Sequence, residues 1–192
     1  IPLALGTSND LQIYHNATDS FYDHYNAGVV YFRQLTTDGD ISFWNDNGSG
    51  GTTEYLRLDG GDVRIKIPDN IIMTFGAGGD LQLSHDATDS LIRNYTGDLK
   101  ITNYADDKDI IFQSDDGSGG VTPYMFLDGS TTLVQFYKST KHSDNIIANF
   151  GNSNDAQLYH SGTNCFINNN TGNLYITNYS DNKDIIFRSD DG

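Results

Sequence analysis

A single glutamate, Glu54, stands in the 192 residues, with one cysteine, one tryptophan and three prolines. Each scarcity excludes something. Glutamate is nearly missing and alanine sparse, while Asn, Asp, Thr, Ser, Gly, Tyr and Ile dominate, a strand-and-turn composition from which no helix is expected. Cys165 is alone, so no disulfide framework exists and the redox compartment stays open. No apolar run approaches the roughly 18 residues of a membrane span. There is no GxSxG, HExxH, CxxC or glycine-rich phosphate loop, and on that ground the chain is read as no enzyme. Basic residues are few, and the formal net charge of −15 is spread without an acidic tail. Such a field repels nucleic acid and anionic membranes, which are not expected partners; it favours solubility, with divalent-cation binding the functional alternative.

What is present is a repeat. Residues 71–117 read IIMTFGAGGDLQLSHDATDSLIRNYTGDLKITNYADDKDIIFQSDDG, and from Ile146 the chain writes IIANFGNSNDAQLYHSGTNCFINNNTGNLYITNYSDNKDIIFRSDDG, ungapped and identical at well over half its positions. A diverged copy precedes both, with LGTSNDLQIYHNATDSF at 5–21 and DISFWNDNGSGG at 40–51. Self-similarity at about 70 residues marks a repeat array. The repeats are placed at 1–70 (diverged), 71–145 (complete) and 146–192 (truncated). No secretion signal or lipidation motif is visible; the chain begins just upstream of the LGTSND signature and stops at Gly192, inside the third copy. The segment is expected to be a piece of a longer protein, frayed at its C-terminal end where the stacking strands are missing.

Alternation of period two marks the strands. Leu11 and Ile13 alternate with Gln12 and Tyr14, as do Leu81 and Leu83, and Ala156 and Leu158, in the other copies. The same phase places His15, His85 and His160 on the apolar side. A small polar turn and a second strand follow. Leu99 and Ile101, matched by Leu174 and Ile176, predict a further strand; Ile110 and Phe112, matched by Ile41 and Phe43 and by Ile185 and Phe187, predict another. Leu56 and Leu58, or Met125 and Leu127, face inward before the LDG turn, and Val63, Ile65 and Ile67 close the unit. About seven short strands per repeat, spaced by about ten residues, predict an all-β array whose thin core needs stacking on neighbours within or between chains.

The string DLQIYHNATDS, with TGDLKITN and DIIFQSDDGSGG after it, resembles tandem repeats in tail fibres and related virion structural proteins of tailed bacteriophages, marine and cyanobacterial ones especially. The first copy departs from the motif after Phe21. The resemblance implies an elongated β-solenoid or β-prism-like shaft, homotrimeric, located on the virion and facing outward, whose contact with host glycan or protein lies outside this segment. Two alternatives come from other classes: a carbohydrate-binding or polysaccharide-degrading tailspike module, and the repeat region of a bacterial surface adhesin.

Candidate chemistry is weighed within that frame. In a three-fold assembly, His15, His85 or His160 would meet its copies near the axis and could hold a metal or anion. The plainer reading, a core histidine satisfied by backbone carbonyls, is preferred. The loops at Asp46-Asn47-Gly48, Asp115-Asp116-Gly117 and Asp190-Asp191-Gly192 could offer oxygens to Ca²⁺, yet they lack the D-x-D-x-D-G spacing and read as plain turns. No cofactor is expected. Trp44, Tyr14, Tyr159, Tyr104 and Tyr179 sit at outward phase, and Trp44, aligned with Gln113 and Arg188, is the candidate glycan contact. The N-x-S/T triplets follow from composition and are not read as glycosylation sites.

Overall fold

The computed structural model describes residues 3–6, 10–25 and 28–190. Among them there are strands and turns and no helix. Fifteen strands form five three-stranded antiparallel sheets, each a simple meander whose strands follow chain order. The chain divides into two compact units, 1–100 and 101–192.

The first unit holds three sheets. β1 (Leu3–Leu5), β2 (Leu11–His15) and β3 (Ser20–His24) make the first; β4 (Ile41–Asp46), β5 (Thr52–Asp59) and β6 (Arg64–Lys66) the second; β7 (Met73–Phe75), β8 (Leu81–His85) and β9 (Ser90–Asn94) the third. The second unit holds two: β10 (Ile110–Asp115), β11 (Val121–Asp128) and β12 (Leu133–Phe136), then β13 (Ala148–Phe150), β14 (Ala156–His160) and β15 (Cys165–Asn169). A complete repeat is therefore two meanders, six strands rather than the seven expected from pattern.

The β2–β3, β8–β9 and β14–β15 hairpins share one turn design. The Asn16 side-chain oxygen accepts from the Thr18 and Asp19 N–H groups at 3.0 and 2.7 Å, and Asp86 accepts from Thr88 and Asp89 at 3.0 and 2.8 Å. The next residue takes a left-handed backbone, φ +82° at Ala17, +76° at Ala87 and +89° at Gly162, so only the third copy has the residue that adopts it without cost.

The β4–β5 and β10–β11 hairpins each carry a bulge, between Phe43 and Trp44 and between Phe112 and Gln113. Bulging drops Tyr55 and Tyr124 from the ladder. Pro123 stays opposite Gln113, in a part of β11 that has β10 on one side only, because β12 pairs no further than Met125. The Tyr55 and Tyr124 hydroxyls donate to the Asp46 and Asp115 carbonyls at 3.0 and 2.9 Å, tying the hairpin ends together.

Three expectations are corrected. Leu99–Thr102 and Leu174–Thr177 are not strands, and the closing run begins at Arg64, since Val63 has φ +51° and lies in the turn. Alternation supplies a strand's faces but not a ladder partner, and these segments have none among the described residues. Ile185–Arg188 repeats the residues of β10 yet is not a strand either; β10 pairs with β11, and no counterpart of β11 is available among the described residues. Asp191 and Gly192 of the third acidic loop lie outside the described residues.

No described residue is buried, and among the described residues there is no hydrophobic core. The chain exposes 16,100 Å². Two separate compact globules sharing its mass of 21.2 kDa would expose only about 10,900 Å² between them.

Candidate functional site: the open apolar faces

Register assigns the side chains to faces. In the first sheet Leu3, Ile13 and Tyr22 stand in one cross-strand row and Leu5 and Leu11 in the next, with His15 beside Ser20 at the turn end. The third sheet repeats the plan with Met73, Leu83 and Ile92 above Phe75 and Leu81, and His85 beside Ser90. In the fifth, Ala148, Leu158 and Ile167 stand above Phe150 and Ala156, with His160 opposite Cys165. The second and fourth sheets gather Ile41, Leu58 and Ile65, and Ile110, Leu127 and Val134, in the same manner. Every sheet thus has an apolar face, and every such face is open. Leu83 is 36% exposed, Ile92 63% and Ile167 67%. Scattered surface leucines mean little, whereas whole sheet faces left open mark interaction surfaces.

In the first, third and fifth sheets the opposite faces are the more sheltered ones. Tyr14 stacks on Phe21, and Tyr159 on Phe166, with ring centroids 4.8 Å apart in both. Tyr14 and Tyr159 are therefore half-buried rather than free for a ligand, because each pairs with the aromatic directly across the strand. The Tyr14 hydroxyl also donates to Asp23 at 3.0 Å, and this bond to a carboxylate raises the phenol pKa above its usual value. Tyr104 and Tyr179 are nearly fully exposed.

The histidines lie on the apolar side as expected, but they are exposed, not core, and side chains rather than backbone carbonyls engage them. His15 Nδ1 is 3.2 Å from Ser20 Oγ and His85 Nδ1 3.2 Å from Ser90 Oγ. In the third copy Cys165 replaces that serine, and His160 Nδ1 turns to Asp144 Oδ1 at 2.9 Å. Among the described residues no three His, Cys, Asp or Glu side chains of one chain are grouped to hold a metal. The acidic loops are self-satisfied: the Asp46 and Asp115 carboxylates accept the Gly48 and Gly117 N–H groups at 2.7 Å, and Asp116 accepts from Ser118 and Gly120.

Trp44 stands after the bulge on the polar face, 62% exposed, its indole N–H donating to Ser42 Oγ at 2.7 Å while Ser42 donates to Glu54. Arg57 joins Glu54 at 3.2 Å and Asp40 at 3.0 Å, and Asp40 also accepts the Gly60 N–H at 2.9 Å. No motif in the sequence announced this cluster; only the bulge and the cross-strand register bring its members together.

Several carboxylates are held below their ordinary pKa by the loops they cap: Asp40 by the Gly60 N–H and then Arg57, Asp86 by the Asp89 and Thr88 N–H groups, and Asp116 and Asp128 first by the hydroxyls of Ser118 and Ser130. A folded pKa below the unfolded value stabilises above that unfolded value, about 3.9, and the contribution is lost as pH falls through the folded one. The urea midpoint should therefore hold from pH 7 to about 5 and fall below about 4. Relief of the net negative charge acts the other way, so a midpoint that rises on acidification would refute control by the turn carboxylates. Asp86→Asn, which copies the natural Asn16, should keep the turn and weaken the pH dependence.

Comparison of the chain with protein-family models, with curated proteins and with solved structures finds no match.

Proposed function

We propose that the chain is a non-catalytic shaft segment of a phage tail-fibre-type virion protein, working as a homotrimer that gives mechanical reach and multivalent presentation to a receptor-binding end. The observation that carries the structural part is the surface: apolar rows recur on five sheets with no buried residue beneath them, and about 5,000 Å² more is exposed than compact globules of this mass would leave. An excess of that size is in the range of obligate interfaces, which run from about 2,000 to beyond 5,000 Å². Three chains closing their apolar faces on a common axis, in a prism or solenoid, would supply the missing core. The viral setting rests on the repeat motif.

Light scattering on a size-exclusion column, with and without chelator, tests the proposal. The expected mass is near three chains in both conditions; a single-chain mass would sink the trimeric shaft. A chelator-dependent mass would return the histidine ring to consideration. Glycan contact has one observation in its favour, the exposed Trp44 ring held in place by its indole bond, and a glycan screen lost on Trp44→Ala would support that second reading.

A further inference from the structure

The segments Leu99–Tyr104 and Leu174–Tyr179 share the sequence Leu-x-Ile-Thr-Asn-Tyr, and each connects two parts of the repeat. Both ends of each are pinned. Upstream, the Asn94 side-chain amide donates to the carbonyls of Thr96 and Gly97 at 3.0 and 2.8 Å, and Asn169 does the same to Thr171 and Gly172. Downstream, Asn103 donates to the Asp109 carbonyl at 3.0 Å and accepts from the Ala105 N–H at 3.0 Å; Asn178 repeats this with Asp184 and Ser180. Between the pins no turn or bend interrupts the chain, and the backbone of 98–102 and 173–177 makes no hydrogen bond to any described residue. Ile101 is 61% exposed and Tyr104 95%. The alternation is that of a strand, the ends are set, and the ladder is missing.

We infer that these segments are intermolecular strands, each adding to a sheet edge or to the matching segment of another copy of the same chain. Unpaired backbone beside alternating apolar residues is the template for strand addition. The partner is a second copy because the same segment recurs at 75-residue spacing, Leu99 to Leu174, and a chain carrying the same repeat presents the same complement at the same interval. In the diverged first copy the corresponding stretch, Val29–Leu35, is also outside any strand, but there Phe32 lies 5.5 Å from Tyr22 of its own sheet. The intermolecular role is accordingly assigned to the second and third copies. It rests on the self-assembly proposed above and goes further by naming the backbone that links the chains.

Hydrogen exchange read by mass spectrometry, on the full 192-residue chain at a concentration where its solution mass is also measured, tests the inference. The amides of 99–103 and 174–178 should exchange about a hundredfold or more slower than unprotected amides. A three-chain mass with free exchange in these segments would overturn the intermolecular strand and leave the trimer standing; a single-chain mass would overturn both. In parallel, Ile101→Pro with Ile176→Pro removes two N–H groups that bond to no described residue. The double variant should keep the strand signature in circular dichroism and lose the three-chain mass, and an unchanged mass would count against the inference.

Discussion

Leu83→Asp is expected to convert a three-chain assembly into single chains. Leu83 is the central member of the Met73, Leu83, Ile92 row, none of which is buried in the isolated chain. If a partner covers the row, a carboxylate placed there is desolvated without a counter-charge, at roughly 3–5 kcal/mol per site, the range in which breaking a buried ion pair falls. An open row would make the same change nearly neutral, within about 0.5 kcal/mol, as for surface substitutions generally. Thr74→Asp is the control, since Thr74 occupies the other face of the same sheet, opposite Gln82. Solution mass and urea midpoint of the two variants, measured side by side, separate the cases. A three-chain mass for Leu83→Asp would exclude this face from the interface.

The second large effect is expected at two glycines. A Cβ on Gly60 would lie 2.3 Å from the Gly39 carbonyl oxygen, and one on Gly129 would lie 2.4 Å from that of Lys108. Both obstacles are backbone, so nothing can swing aside. The approach is close because the Gly60 and Gly129 N–H groups donate to Asp40 and Asp109, at 2.9 and 3.0 Å, drawing the end of the central strand over the start of the hairpin. Gly60→Ala and Gly129→Ala should each destabilise their sheet by about 1–3 kcal/mol, the scale of overpacking, and loosen exchange protection in β4–β6 and β10–β12 respectively. Gly61 provides the contrast. Its nearest neighbours would be at an ordinary 3.7 Å, and the equivalent position of the next copy is Ser130, so Gly61→Ala should fall within about 0.5 kcal/mol. Equal losses at Gly60 and Gly61 would refute the close-approach account.

The candidate site was only partly legible in the chain. Alternation at Leu11–His15, Leu81–His85 and Ala156–His160 placed three histidines on the apolar side, where register puts them. It could not show that Ser20 and Ser90 face the first two rings across the strand, or that Cys165 and Asp144 change the partner of the third, because those pairings depend on hairpin register and not on neighbours in sequence. Trp44 read as an isolated aromatic. Its link to Ser42, Glu54 and Arg57 depends on a bulge that no local signal announced.

The sequence by itself determined the repeat, the all-β character, the polar turns and which residues of each strand share a face. These are local properties, set by turn chemistry and a two-residue period. Only the tertiary structure decided how strands pair into five separate meanders, that Tyr14 and Tyr159 are sheltered while Ile13 and Leu158 are open, and that Leu99–Tyr104 has the pattern of a strand without its ladder. The physical reason is that a side chain's phase comes from its own backbone, whereas burial and hydrogen-bond pairing require a second surface, which this chain supplies along its hairpins and leaves open across its apolar faces.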